Sequence, residues 1–498
     1  MTGRANILWL LSDQHRGDVM GARGHGVVRT PNMDRLAREG ALFNDVFCQG
    51  PLCVPARVSL MTERYVRDHG AFENDYFSSA ELPTMLQAIR DAGYHTSAIG
   101  KMHLFPHYPD VDDGLPLMRA MGFQEVLEVV GKLACGFVRN PYTDDLDELG
   151  LLDTYRRFVR ERTPWRRNRE SRRDSKPTWT VDPSPLPAKH YLDTWVGRRA
   201  VEWLENYRGE DPFFLWVGFP GPHDPWDAPA EYVRRYEDAD VTLDSTRRPE
   251  IPEYGPLSVF LRSFLRYSSS DTLTDERARD VRRHYFANVT LIDESIGQIL
   301  DTLERTGIAD NTWVVYSSDH GEMLGTHGFL NKMVFYEPSV RVPLIIRPPG
   351  GIGTGQVHSG LLEHVDLSAT LRDLAGAGEI AGSAGRSFAN VFSGSRLVPR
   401  EVVVSENYGF AMWRNNRYKL VVYEKDRRPV QLFDLVEDPS EDHNRVADPS
   451  YANVLADMVD AYVQPFLSTP PVRTGPDIVE RSGAYLVENT RGPASPGD

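Results

Sequence analysis

The sequence predicts an α/β fold: a large, mostly parallel central sheet sandwiched by helices, then a smaller C-terminal domain of antiparallel strands and a helix. Three observations carry this. Over the first three quarters of the 498 residues, short apolar runs alternate with helical patterns, the order that builds a parallel sheet covered on both faces. Four of those runs stop at clusters of Asp, His, Lys and Gln. Past residues 375–385 (AGAGEIAGSAG) periodicity is lost among small residues, and closely spaced strands follow. A chain of this length exceeds one simple core. The expected divisions are 1–378 for the main α/β domain, 379–467 for a small α+β domain, and 468–498 for a tail that is disordered or wraps a neighbouring subunit.

In chain order, residues 6–11 (NILWLL) form the first buried strand, which ends at Ser12-Asp13-Gln14-His15. Thr30-Pro31 opens a helix that runs through Arg38 and stops at Gly40. Residues 83–91 form another, closed by Gly93, and the strand 95–99 runs into Gly100-Lys101-Met102-His103. Residues 192–207 are helical, and the strand 213–219 is followed by Pro220-Gly221-Pro222-His223. A long helix over 279–306 stops at Gly307, and the strand 313–317 delivers Ser318-Asp319-His320-Gly321-Glu322. Beyond the boundary, strands at 401–405, 418–423 and 430–435 precede a helix over 451–466. Residues 105–190 and 224–278 read as irregular, lid-like insertions rich in Pro, Arg, Tyr and Trp. Trp165, Trp179 and Trp226 lie in them, and filling a satellite core is preferred to stacking on a ligand ring.

Composition excludes several classes. With 41% hydrophobic and 26% charged residues, this is an ordinary soluble globular chain. No apolar run reaches the roughly 20 residues that span a bilayer, so no membrane segment is expected. The start, MTGRANILWLLSDQ, lacks the long apolar region and cleavage site of a signal peptide, and the expected location is cytoplasmic. Cys48, Cys53 and Cys135 are too few for a disulfide framework and have no zinc spacing. A net charge of −15 argues against nonspecific nucleic-acid binding. Residues 156–176 break that trend with ten basic and three acidic side chains. A solvated arm or intersubunit contact, which leaves a homo-oligomer open, is preferred there to a positive rim for an anionic substrate.

Ligands of open parallel sheets bind beyond the carboxyl ends of the strands, where the four polar clusters lie. One such cluster is ordinarily a solvated turn; four together make a site. Asp13, Gln14, Asp319 and His320 offer two carboxylates, an amide oxygen and an imidazole. Such oxygen-rich donors suit calcium or magnesium, and His320 leaves manganese or zinc open. Lys101, His103, His223 and Lys332 add groups that stabilise anionic oxygens or move protons. Cys53 opens the segment Cys53-Val54-Pro55-Ala56-Arg57, where proline favours a helix start and puts Arg57 about one turn in. The positive helix end and the guanidinium favour an anion-facing nucleophile there. Taken alone, that segment fits a small buried cysteine equally well.

The order and spacing of these segments resemble type I sulfatases of the alkaline phosphatase superfamily almost end to end. NILWLLSDQ resembles their first metal strand, PLCVPARVSLMTER the C-x-P-x-R nucleophile helix, and GYHTSAIGKMHL the lysine–histidine segment. SSDHGEMLGTHG with Lys332, and RVPLIIRPPG, resemble the second metal segment, and residues 414–449 the small antiparallel domain. The resemblance implies that a maturation enzyme oxidises Cys53 to formylglycine, and that the site holds one divalent cation, calcium preferred. The metal ligands would be Asp13, Gln14, Asp319, His320 and the modified Cys53. One hydroxyl of the aldehyde hydrate would attack a sulfate monoester to leave a covalent sulfated intermediate, and His103 would assist the other in expelling sulfate. Arg57 would hold the hydrate, Lys101 and Lys332 would bind sulfate oxygens, and His223 would sit near the leaving oxygen.

Three positions depart from the family's usual residues. Gln14 stands where a second aspartate is common, His320 where asparagine is common, and Met61-Thr62-Glu63-Arg64 where Leu-Thr-Gly-Arg is common. The nearest alternative is a phosphonate monoester or phosphodiester hydrolase of the same superfamily. Asn74, 21 residues after Cys53, resembles a substrate-binding asparagine of those enzymes, although a turn at Glu73-Asn74-Asp75 is preferred. Lys101 and His103 look more like a sulfatase. A second alternative is an inactive binding or scaffold relative.

Overall fold

The computed structural model describes residues 4–74, 82–105, 110–162, 177, 179–351 and 355–471. Its main sheet comprises β1 (Asn6–Asp13), β2 (Ala41–Phe47), β3 (His95–Gly100), β4 (Glu125–Glu128), β5 (Phe213–Pro222), β6 (Thr312–Ser318), β7 (Arg341–Val342), β8 (Leu344–Arg347) and β9 (Gln356–Glu363). The strand order is β4-β3-β5-β1-β6-β8-β2-β7, with β9 also paired to β2. β4, β3, β5, β1 and β6 run parallel, β8 is antiparallel to β6 and to β2, and β2 therefore regains the direction of β6. All eight residues of β1 are buried, as in a strand covered on both faces.

Two helical layers supply the cover. Pro31–Glu39, Leu192–Asn206 and Asp275–Arg305 pack together on one side, and Cys53–Thr62, Met85–Asp91 and His364–Leu374 on the other. Their starts follow local chemistry. Thr84 accepts from Gln87 N in a capping box, and Thr274 caps the long helix, which begins four residues earlier than periodicity predicts. Gly40 ends the first helix, as expected.

Several elements correct the sequence reading. No strand was expected between Gly40 and Cys53, yet β2 lies there, since its Asn44-Asp45 pair interrupts the apolar pattern. β4, β8 and β9 were likewise missed. The two insertions are not wholly irregular: they contain the helices Pro141–Glu148, Leu152–Arg162 and Pro256–Tyr267. Trp226 is buried in the core and Trp179 packs on its edge, whereas Trp165 and most of the basic segment fall outside the described residues. Among the described residues, no helix is long and apolar enough to cross a membrane.

Near the C-terminus, β10 (Val403–Asn407), β11 (Phe410–Arg414), β12 (Tyr418–Tyr423) and β13 (Arg428–Asp434) form a four-stranded antiparallel meander. β11 was not expected from the sequence. One face makes its own apolar cluster with Val404, Trp413, Leu420, Leu432, Met458 and Val463, the last two from the helical segment that follows. The meander also braces the main sheet's loops: Asn407 donates to the Met333 carbonyl (2.6 Å) and Lys419 to the Phe335 carbonyl (2.9 Å).

Candidate active site

The carboxyl ends of β1, β3, β5 and β6 share one edge, and β2 leads to the same edge through residues 48–52 before the helix that opens at Cys53. Leu52 occupies the N-cap of that helix and has no side chain able to cap it. Asn74 substitutes from outside, its Oδ1 accepting from Val54 N at 3.0 Å. Asn74 thus sits beside Cys53, while Asp75 of the expected turn lies outside the described residues.

Asp13, Cys53, Asp319 and His320 converge, with one ligating atom of each within 4.8 Å of the others, all buried. His320 Nδ1 faces the Gly321 carbonyl at 3.0 Å, so its hydrogen belongs there and Nε2 presents a lone pair. That lone pair lies 3.2 Å from Cys53 Sγ, 3.7 Å from Asp319 Oδ2 and 4.0 Å from Asp13 Oδ1. Burial lowers the pKa of His320 despite the neighbouring Asp319, which favours the neutral ligand form. Two carboxylates, a neutral imidazole and a sulfur around one point fit a divalent cation.

Arg57, fully buried one turn into the helix, ties this cluster to β1, β3 and β6. Its Nε donates to Asp319 Oδ2 (2.8 Å), and Nη2 to Asp13 Oδ2 (3.1 Å). Nη1 reaches the carbonyls of Lys101 (2.8 Å) and Met102 (3.1 Å). Lys101 Nζ meets Asp13 Oδ2 at 2.5 Å. Burial alone would raise the Asp13 pKa, but Lys101, His223, Arg57 and His320 hold it well below the usual carboxylate range. Burial and Asp13 would likewise raise Asp319, yet His320 and Arg57 keep it depressed. Both carboxylates are therefore ionised at neutral pH.

On the other side, Lys332 donates to Gln14 Oε1 and lies 2.7 Å from His223 Nε2. Burial opposes the Lys332 charge, but Cys53, Asp13 and Asp224 raise its pKa, so it stays an ammonium. His223 Nδ1 faces the Asp224 carbonyl (2.7 Å) and carboxylate (3.1 Å), which leaves Nε2 to accept from Lys332. Gln14 adopts φ 68°, and its amide nitrogen donates to Glu322. His103 follows Lys101 on the same turn, with φ 50°. Asp13 at the end of β1, Cys53 and Arg57 in the first turns of their helix, and Gln14, Lys101, His103, His223, Asp319, His320 and Lys332 on the loops therefore lie at this edge.

Three acidic residues at the site had been given no role. Glu322 accepts from Gln14, Leu324 N and Asn331 N, and burial pushes its pKa up to about 7. Asp224 backs His223, and Glu128 accepts from the amides of Met102 and His103. Asp224 and Glu322 could have been found as the acids next to His223 and in Asp319-His320-Gly321-Glu322. Glu128 leaves only a weaker trace, a charge interrupting Val126-Leu127 and Val129-Val130.

A parallel sheet gathers an ionised carboxylate pair, an imidazole and a helix-start cysteine at one edge, an arrangement suited to a metal-assisted hydrolase. The chain belongs to the sulfatase family, whose model matches residues 5–377. It is accordingly a sulfuric ester hydrolase by class. Residues 325–464 match a second model, N-sulphoglucosamine sulphohydrolase, C-terminal. The chain is 31% identical to a choline-sulfatase of Rhizobium meliloti (strain 1021), over 90% of this chain and 83% of that one. It is 28% identical to an arylsulfatase of Clostridium perfringens (strain 13 / Type A), over 90% and 91%. The fold superposes on a phosphonate monoester hydrolase of Agrobacterium radiobacter with TM-score 0.74 and 24% identity, covering 93% of this chain and 95% of that one.

Proposed function

We propose that this chain hydrolyses a sulfate monoester, with Cys53 oxidised to formylglycine and one divalent cation held by Asp13, Gln14, Asp319 and His320. The observation that carries the reading is the meeting of Cys53 with Asp13, Asp319 and His320, flanked by the cations Arg57, Lys101 and Lys332. Formylglycine at position 53 would, as its hydrate, supply two geminal hydroxyls, the chemistry needed for nucleophilic displacement at sulfur and for release of sulfate. A cation held by those residues would supply positive charge against the sulfate oxygens.

The chain's own residues do the rest. Arg57 locks Asp13 and Asp319 and so fixes the ligand geometry. Lys101 and Lys332 attract the sulfate oxygens in a buried setting, where such charges act strongly. In the resting site His223 Nε2 accepts from Lys332. Sulfate that takes over Lys332 frees Nε2 to hold a proton for the departing oxygen. His103 accepts the proton released when sulfate leaves. Asn74 supports the second reading, phosphonate monoester hydrolysis, because it lies at the nucleophile. Lys101 and His103 weigh for sulfate.

Mass spectrometry of the tryptic peptide spanning 39–57, from protein made with its maturation machinery, tests the nucleophile. Cys48 serves as the internal thiol control. Aldehyde at Cys53 is expected, and a fully retained thiol overturns the reading. Cys53→Ala and Asp319→Ala should each abolish turnover with the fold intact, and near-normal rates would remove the assigned roles. An aryl sulfate should be hydrolysed faster than the matching aryl phosphonate; the reverse order selects the second reading.

A further inference from the structure

Glu128 ends β4 opposite Gly100 of β3, and it is 2% exposed. A carboxylate in an apolar strand is costly unless its oxygens are satisfied. Here they accept from Met102 N at 3.1 and 3.3 Å and from His103 N at 3.4 Å. The same three-residue turn is gripped elsewhere: Lys101 N donates to the Gly218 carbonyl (2.8 Å), and Arg57 holds the carbonyls of Lys101 and Met102. At His103 the backbone enters the left-handed region, φ 50°, which costs a non-glycine residue roughly 1–2 kcal/mol. Successive amides pointing into one concavity make an anion cradle, and the Glu128 carboxylate fills this one.

We propose that Glu128 is a positioning residue that holds the Lys101–Met102–His103 turn in its left-handed form, aiming Lys101 and His103 at the nucleophile. Its carboxylate oxygens accept from backbone amides of the turn, Met102 N and His103 N, whereas the metal-ligand cluster is formed by Asp13, Cys53, Asp319 and His320. Glu128 therefore acts through the turn. Burial pushes its pKa up to about 8, the two amides and the charges of Arg57 and Lys101 opposing this. The side chain retains an acceptor oxygen in either protonation state, so a carboxamide can replace it in part.

The proposal rests on the roles given above to Lys101 and His103, and the experiment separates the two. Wild-type protein matured at Cys53 is first assayed on an aryl sulfate and an aryl phosphonate, which tests the functional reading. Glu128→Ala and Glu128→Gln are then compared with wild type on whichever ester turns over, with thermal midpoint and Cys53 conversion measured on each. We expect Glu128→Ala to lower kcat by about 100-fold, the scale of a catalytic group misplaced by about 1 Å, with conversion unchanged. Glu128→Gln should stay within about threefold of wild type because its oxygen still accepts from the turn. Glu128→Ala within twofold of wild type overturns the proposal. So does a Glu128→Gln variant as slow as Glu128→Ala. If Glu128→Ala fails to fold, Glu128→Asp takes its place: a carboxylate withdrawn by one methylene should be slower than Glu128→Gln, and the opposite order overturns the assignment.

Discussion

Arg57 answers two buried carboxylates and two backbone carbonyls with one planar group. A lysine keeps the charge but has no fork to bridge Asp13 and Asp319. Arg57→Met strips Asp319 of its guanidinium and leaves Asp13 with Lys101 as its ion-pair partner, and should cost about 3–5 kcal/mol. Urea denaturation reads this, and an unchanged midpoint would mean that the pair is already neutral. Glu63 makes a different compromise. It ends the Cys53–Thr62 helix at φ 54°, a position that favours glycine. Its buried carboxylate instead pairs with Arg372 (2.8 Å) and takes a hydrogen bond from Ser383. Glu63→Gly relieves the backbone but strands Arg372, for a net loss of about 2 kcal/mol. A gain in stability would show that the backbone strain outweighs the pair.

At the scale of elements, two devices fix where the nucleophile and Lys101 sit. Asn74 caps the Cys53–Thr62 helix from a separate loop, so Asn74→Ala should cost about 1 kcal/mol of stability as well as any effect on substrate. A loss of activity with no change in the unfolding midpoint would instead assign Asn74 to substrate alone. Between β3 and β5 the backbones touch: a Cβ on Gly218 would lie 2.1 Å from the Lys101 carbonyl oxygen. Gly218→Ala should therefore push the Lys101 turn away, costing about 1–3 kcal/mol and slowing turnover. Wild-type kinetics in that variant would mean the turn tolerates the shift.

For the whole molecule, buried carboxyl groups set a pH window. Burial pushes Glu128 up to about 8, and Asp293 and Glu363 up to about 7, against ordinary carboxyl values near 4. A raised acid stabilises the fold below its unfolded pKa of about 4, and that stability is lost progressively as pH climbs from there through 7 to 8. Asp18 and Asp244 run the other way. Burial opposes their charge, but Arg16 beside both, with Arg282, depresses them. Their contribution is present above about pH 4 and is lost as pH falls through the folded values. Thermal midpoints should peak at about pH 4–5, and Glu128→Gln should flatten the decline on the alkaline side. A midpoint still rising to pH 9 would contradict this assignment of burial effects.

Much of this was legible along the chain. Apolar runs buried on both faces read directly as strands, and the polar residues at their ends, Asp13, Lys101, His223 and Asp319, declare themselves because a buried parallel strand has no other reason to stop on charge. β2 was hidden, because Asn44 and Asp45 break the pattern where the strand is only half-buried. Glu128 was hidden too: its role exists only because β4 pairs with β3 and brings it beneath the Met102 and His103 amides. By itself the sequence determined the fold class and pointed to the edge of the sheet where the candidate site lies, since these follow from hydrophobic periodicity and residue type. The tertiary structure decided which tautomer His320 presents, which groups neutralise Asp13, and which acids steady the loops. Those depend on distances of about 3 Å between residues up to hundreds of positions apart, where hydrogen-bond geometry and burial set the energies.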